Sequence, residues 1–332
     1  MELNPIAVLA IGGNSLMRPG QRGGFADQQG NARVTCEGIA DVLAAGYRVV
    51  LTHGNGPQVG NALLRTELSQ PELPPVRLDE CDAETQGEIG YLLQQTLDNV
   101  LAERSWSASV VSMVTQVVVD ASDPAFRKPT KPIGPFYAFE EALDRKRKLH
   151  WEMIEDSGRG WRRVVASPRP LEIVELDAVR ACLGAGAVVI AAGGGGIPVV
   201  RRAGRLEGVE AVIDKDRVSA LLARRLRAKL IVFSTAVDRV AVRFGRPDQR
   251  PLAQMSWHEA QGYLREGEFP AGSMGPKIEA ALEFLEEACT WNGGDCRAIV
   301  TSPENLAAAL RGEAGTQILP PVSAPSEQPA VA

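Results

Sequence analysis

Long apolar runs are missing from this chain. None reaches the length of a membrane span, and the N-terminus lacks a basic region followed by an apolar core. The expectation is a cytoplasmic protein with no membrane partner. Histidine is scarce. His53, His150 and His258 lie far apart, which argues against a three-histidine metal site. Cysteine is sparse and odd in number: Cys36, Cys81, Cys182, Cys289 and Cys296 make a poor disulfide framework. Positive charge is not in excess either. The net charge of −5 gives no broad field for nucleic acid. No G-x-x-x-x-G-K-[ST] string occurs, so a P-loop is excluded. Residues 54–60 read G-x-G-x-x-x-G, which is not the dinucleotide fingerprint, and a dehydrogenase is not expected.

What remains is a 332-residue chain, 45% apolar and 23% charged, with 33 glycines clustered in a few loops. It is organised around AVVIAAGGGGIPVVRRAGRLEGVEAVIDKD, residues 187–216. Val, Ile and Ala without polar interruption fit a parallel strand covered on both faces. Four glycines, 193–196, follow at once. They free the backbone to bend with φ > 0 and can bring bare N–H groups close to an anion. Lys215 then stands between Asp214 and Asp216, just before a helical pattern over 217–227. The plainer alternative is a flexible loop followed by a surface charge triplet.

The rest of the chain repeats one arrangement. Apolar residues 6–11 lead into Gly12-Gly13-Asn14, then a helical pattern over 31–45 closed by Gly46. A second strand, 47–52, leads into His53-Gly54-Asn55-Gly56-Pro57, then a helix over 59–68. This predicts a parallel sheet with glycine loops at corresponding strand ends, able to enclose a small anion beside two helix N-termini. Further helices are expected over 85–102, 140–156, 173–184, 257–266, 278–288 and 304–310, and strands within 108–120 and over 230–234 and 297–301. Residues 123–170 carry four closely spaced prolines and weak strand signals, and read as an inserted lid on a main domain of residues 1–318. Residues 319–332 read as a disordered tail.

These features suit phosphoryl transfer, which needs in-line positioning and fixed positive charge more than covalent help. The candidate cations are Lys131, Lys215 and Lys277, with Asp216 placed to pin Lys215 by charge-assisted hydrogen bonds.

The strings THGNGPQVG (52–60), TQGEIGYLLQQ (85–95), DPAF-x-x-PTKPIGPFY (123–137), GGGGIPVV (193–200), GVEAVIDKD (208–216) and GSMGPKIEAA (272–281) resemble the carbamate kinases, within the amino-acid kinase family. The resemblance covers residues 6–318. It implies an open, mostly parallel α/β sheet sandwiched by helices, with substrate on the N-terminal half and ATP on the C-terminal half. It implies reversible transfer between ATP and carbamate, giving ADP and carbamoyl phosphate, with Mg2+ and in a homodimer. The usual direction is toward ATP during breakdown of nitrogen compounds such as arginine. By matched position, Gly12, Gly13, Asn14, Gly54, Asn55 and Gly56 would hold carbamate and the moving phosphoryl group. Lys131, Lys215 and Lys277 would stabilise that group, with Asp216 orienting them. Gly194, Gly195, Thr235, Ala236, Val237, Met274 and Gly275 would border the nucleotide. No residue is assigned as a metal ligand.

Glu80, Asp82 and Glu84 depart from this pattern, standing where small or apolar residues are usual. Two other readings stay open. One is a kinase for a larger carboxylate such as acetylglutamate, needing an arginine clamp for which Arg33, Arg65 and Arg77 are available. The other is a non-catalytic regulator that binds ATP without turnover.

Overall fold

Three strands, Ile6–Ile11, Arg48–His53 and Leu230–Ser234, form the centre of the molecule because apolar side chains occupy both their faces. Ala7, Leu9 and Ile11 point into one core, and Val8 and Ala10 into the other. Two-sided burial is what a parallel sheet requires. The structure is a computed structural model and describes residues 4–17, 21, 24–70, 72–156, 158–270, 272–292 and 294–321.

Around that centre lies an eight-stranded sheet. Its spatial order is Gln254–Ser256, Thr316–Leu319, Arg297–Thr301, Leu230–Ser234, Ile6–Ile11, Arg48–His53, Val188–Ile190, Val110–Ser112. Every neighbouring pair is parallel except Arg297–Thr301 with Thr316–Leu319. Helices Phe25–Ala44, Leu78–Glu103 and Leu306–Leu310 cover one face. Leu176–Gly184, Lys215–Arg225 and Met274–Asn292 cover the other. The expected α/β sandwich is therefore the observed one. The chain winds outward in both directions from Ile6–Ile11, so a switch point opens beside that strand at the carboxyl ends. Ligands of open α/β sheets bind there.

A second sheet of four strands orders Arg205–Gly208, Ile197–Arg202, Gln116–Val119 and Pro170–Ile173. It carries a three-stranded antiparallel sheet, Lys131–Tyr137, Trp161–Val165 and Glu152–Glu155, and the helix Phe139–Leu149. These elements fall inside the proposed lid of residues 123–170. They enclose a small core of Tyr137, Ala142 and Met153, and the Arg145 guanidinium lies 4.1 Å above the Tyr137 ring.

Several element boundaries differ from the sequence expectation. The helix expected from residue 85 begins at Leu78, and the one expected from residue 31 begins at Phe25. The pattern over 108–120 splits into two strands in different sheets. The helix expected over 140–156 stops at Leu149, where His150 turns to φ 54°, and Glu152–Glu155 is strand. Strands Ile197–Arg202, Arg205–Gly208 and Thr316–Leu319 were not expected. Leu319 thus closes a strand, and residues 322–332 of the expected tail lie outside the described residues.

Candidate active site

The three lysines meet at one corner, around Asp214-Lys215-Asp216. Asp214 caps the helix Lys215–Arg225, its Oδ1 accepting from Asp216 N at 2.9 Å. A side-chain cap of this kind fixes the helix start. Asp214 Oδ2 also accepts from Lys131 Nζ of the lid at 2.6 Å. Asp216 Oδ2 accepts from Lys277 Nζ at 2.9 Å. Asp216 Oδ1 lies 3.0 Å from Lys215 Nζ, so the same carboxylate holds both ammonium groups.

The electrostatics follow from this crowding. Burial opposes charge on Asp216, but the ammonium groups of Lys215 and Lys277 outweigh it and hold the carboxyl below the usual carboxylate range. Asp214 is likewise held low, with Lys131 overcoming burial. Burial draws the Lys215 ammonium below the usual lysine range, against the pull of Asp216. Lys277 is also desolvated, yet Asp216 and Asp214 carry it above that range. The corner holds three ammonium groups against two carboxylates and keeps one surplus positive charge, which suits a phosphoryl group.

Opposite this corner stand the first two glycine loops. Gly12 N donates to Ser234 O and Gly54 N to Ile11 O, both at 3.0 Å. A Cβ on Gly54 would sit 2.9 Å from Gly13 N, so only glycine lets the loops touch. Asn55 and Gly56 then open the helix Gly56–Ser69. Gly12, Gly13, Gly54, Asn55 and Gly56 thus share one patch at the carboxyl ends of adjacent strands. The backbone of Asn14 lies in the short helix Gly13–Leu16, while its side chain lies outside what is described.

The Gly193–Gly195 turn packs against that patch. Gly194, Gly195 and Gly196 have φ of 68°, 96° and 82°. A Cβ would fall 2.3 Å from Asn55 Nδ2 at Gly194 and 2.3 Å from Ile213 O at Gly195. At Gly193 it would fall 2.2 Å from His53 Nε2. These glycines are required by tight packing inside the protein, a reason the sequence reading did not supply. On the other side, Thr235, Ala236 and Val237 leave the end of Leu230–Ser234, with Thr235 N bonded to Thr301 O at 2.9 Å. Met274 and Gly275 open the helix Met274–Asn292, so Lys277 lies in its first turn and not in the preceding loop.

The amino acid kinase family model matches residues 5–302. The chain belongs to the amino acid kinase family. It is 45% identical to the carbamate kinase of Pyrococcus furiosus over 315 residues, 94% of this chain and 98% of that protein. It is 47% identical to carbamate kinase 2 of Enterococcus faecalis over 322 residues, 96% of this chain and 99% of that protein. Among solved structures it resembles carbamate kinase from Giardia lamblia bound to AMP-PNP. The TM-score is 0.88 at 39% identity, covering 97% of this chain and 100% of that one.

This amino acid kinase also has site neighbours that sequence reasoning missed. Asp82, Thr85 and Gln86 lie buried on one face of Leu78–Glu103. Asp82 and Thr85 hold Asn55. Gln86 accepts from Thr115 N at 2.8 Å and donates to Gly193 O at 2.9 Å. Their i, i+3, i+4 spacing is the available signal, visible only if the helix is begun before residue 82. His53, buried beside Lys215, has its imidazole pushed down to about 4, chiefly by burial. Of the arginines weighed for a larger carboxylate, Arg33 pairs with Glu103 and Glu37, and Arg77 with Asp79. Arg65 is exposed.

Proposed function

We propose that this protein is a carbamate kinase, moving a phosphoryl group between ATP and carbamate through the corner of Lys131, Lys215 and Lys277. The observation that carries the reading is the convergence of these lysines, from residues far apart in sequence, on Asp214 and Asp216. In the direction away from ATP, a carbamate oxygen forms its bond to the γ-phosphorus as the bond to the ADP oxygen breaks. That oxygen is already anionic, so no general base is required. Gly12, Gly13, Asn14, Gly54, Asn55 and Gly56 would hold the carbamate. Lys215 and Lys277 would meet the charge on the equatorial oxygens, with Asp216 positioning both. Lys131 would arrive with the lid and help exclude water. Gly194, Gly195, Thr235, Ala236, Val237, Met274 and Gly275 would border the nucleotide.

Magnesium belongs to the same proposal. Among the described residues no cluster of three or more His, Cys, Asp or Glu offers a dedicated cage. Magnesium would enter with the nucleotide and supply further positive charge there. A homodimer is proposed as well. Phe25 and Tyr91 stack on an exposed surface with centroids 6.2 Å apart, beside a cleft of about 510 Å³. Sedimentation at twice the chain mass is the expected result. Net flux toward ATP in a reducing cytoplasm completes the reading.

The deciding assay supplies carbamoyl phosphate, ADP and magnesium to the purified chain and follows ATP. Folded protein that makes none overturns the proposal. ATP binding without turnover would favour the regulator. Turnover with acetylglutamate alone would favour the larger-carboxylate kinase, against which the pairing of Arg33 and Arg77 already speaks.

A further inference from the structure

Carbamate and acetate present the same carboxylate, and main-chain N–H groups that read oxygens cannot tell them apart. The difference is an amino group against a methyl. Recognition of that amino group needs a fixed acceptor. Two side-chain amides reach the seam between the Gly54–Gly56 loop and the Gly193–Gly195 turn: Gln86, which donates to Gly193 O, and Asn55, which packs against Gly194. Asn55 Nδ2 donates to Asp82 Oδ1 at 2.9 Å and to Thr85 Oγ1 at 3.0 Å. Thr85 spends its own hydroxyl proton on Asp82 O at 2.9 Å, so its Oγ1 is an acceptor toward Asn55. That settles which end of the amide faces the helix. Both amide protons are consumed, and Asn55 Oδ1 is turned away with no partner among the described residues. The amide lies flat against Gly194, where a Cβ would stand 3.0 Å from Oδ1.

We infer that Asp82 and Thr85 clamp Asn55 so that its Oδ1 accepts a hydrogen bond from the carbamate amino group, making this amide the element that distinguishes carbamate from acetate. The inference rests on the carbamate kinase reading. Thr85 is the hydroxyl clamp, and Asp82 is a second clamp at a position where the family resemblance leads one to expect a small or apolar residue. Both are fully buried positioning residues. Asp82 Oδ2 has no partner, so nothing else in its surroundings explains a carboxyl there. A methyl placed against Oδ1 would leave a desolvated acceptor unpaired, and sites of that kind reject the analogue strongly.

The test compares carbamoyl phosphate with acetyl phosphate as phosphoryl donors to ADP, reading the ratio of their kcat/KM values. Asp82→Ala and Thr85→Val should each lower the ratio, and the double variant should lower it on the order of 10–100-fold. Asp82→Asn and Thr85→Ser keep an acceptor toward Nδ2 and should restore it. A purely structural role would depress both donors together and leave the ratio unmoved. An unchanged ratio in Thr85→Val overturns the inference, and that single variant carries the test if the double one does not fold. Wild-type protein that makes no ATP from carbamoyl phosphate would instead overturn the reading beneath it.

Discussion

Lys215 is buried and held 3.0 Å from the Asp216 carboxylate. A cation fixed in this way is preorganised to meet a phosphoryl oxygen. Lys215→Ala should leave folding intact and lower kcat by about 10²–10³, the cost of losing one preorganised donor. Rates near wild type, measured in the carbamoyl phosphate assay, would remove it from the mechanism. His53 bears on stability instead. Its folded-state value of about 4 lies below the ordinary 6.5, so the unfolded chain takes up its proton first as pH falls. The stability tied to His53 is complete above about pH 6.5 and is lost between there and pH 4, in total about 3 kcal/mol. Urea midpoints at pH 7 and pH 5 should converge in His53→Gln and diverge in wild type.

Among the elements, the Gly193–Gly195 turn has the least freedom to change. Gly195 has φ 96°, and a Cβ there would strike the Ile213 carbonyl at 2.3 Å. Gly195→Ala should cost roughly 2–3 kcal/mol, seen as a lower urea midpoint, since a backbone contact and a left-handed φ must both yield. This loop was legible because an uninterrupted apolar strand runs straight into it. Strands Leu230–Ser234 and Arg297–Thr301 were legible for the same reason. The helix Leu78–Glu103 was read only in part. Asp79, Glu80, Asp82 and Glu84 break its apolar period, although only Asp79 and Asp82 are buried. Asp79 pairs with neighbouring Arg77, while Asp82 Oδ1 is met by Asn55, 27 positions earlier, which no local pattern records. The helix expected from residue 278 begins at Met274, so Gly275, Pro276 and Lys277 fall inside it. Proline is tolerated in a first helical turn, where its missing N–H has no partner to lose. The lysines themselves were visible as types, but their convergence is tertiary.

Across the whole molecule, the proposed lid meets the body at several points, among them the Arg145–Glu67 ion pair, the Val212 N to Ala166 O bond and the packing of Ile133 and Val165 on Val59 and Leu78. Gly60 and Gly134 pack backbone to backbone, and Lys131 reaches Asp214 at 2.6 Å. The ion pair is partly exposed, so its worth is about 1 kcal/mol. Asp214→Asn should therefore raise amide exchange across residues 131–165 roughly fivefold, with the central sheet unaffected. Equal exchange in both proteins would show that this ion pair does not help to hold the lid.

The lysine corner is also spread along the chain in a way that matters during synthesis. Asp214 must find Lys131, 83 positions earlier, and Asp216 must find Lys277, 61 positions later. A nascent polypeptide still lacking its last fifth holds the substrate loops, the lid and Lys215, yet not the final ammonium group. Competence therefore arrives late in translation, and a truncated product would hold nucleotide-like anions poorly and waste no ATP.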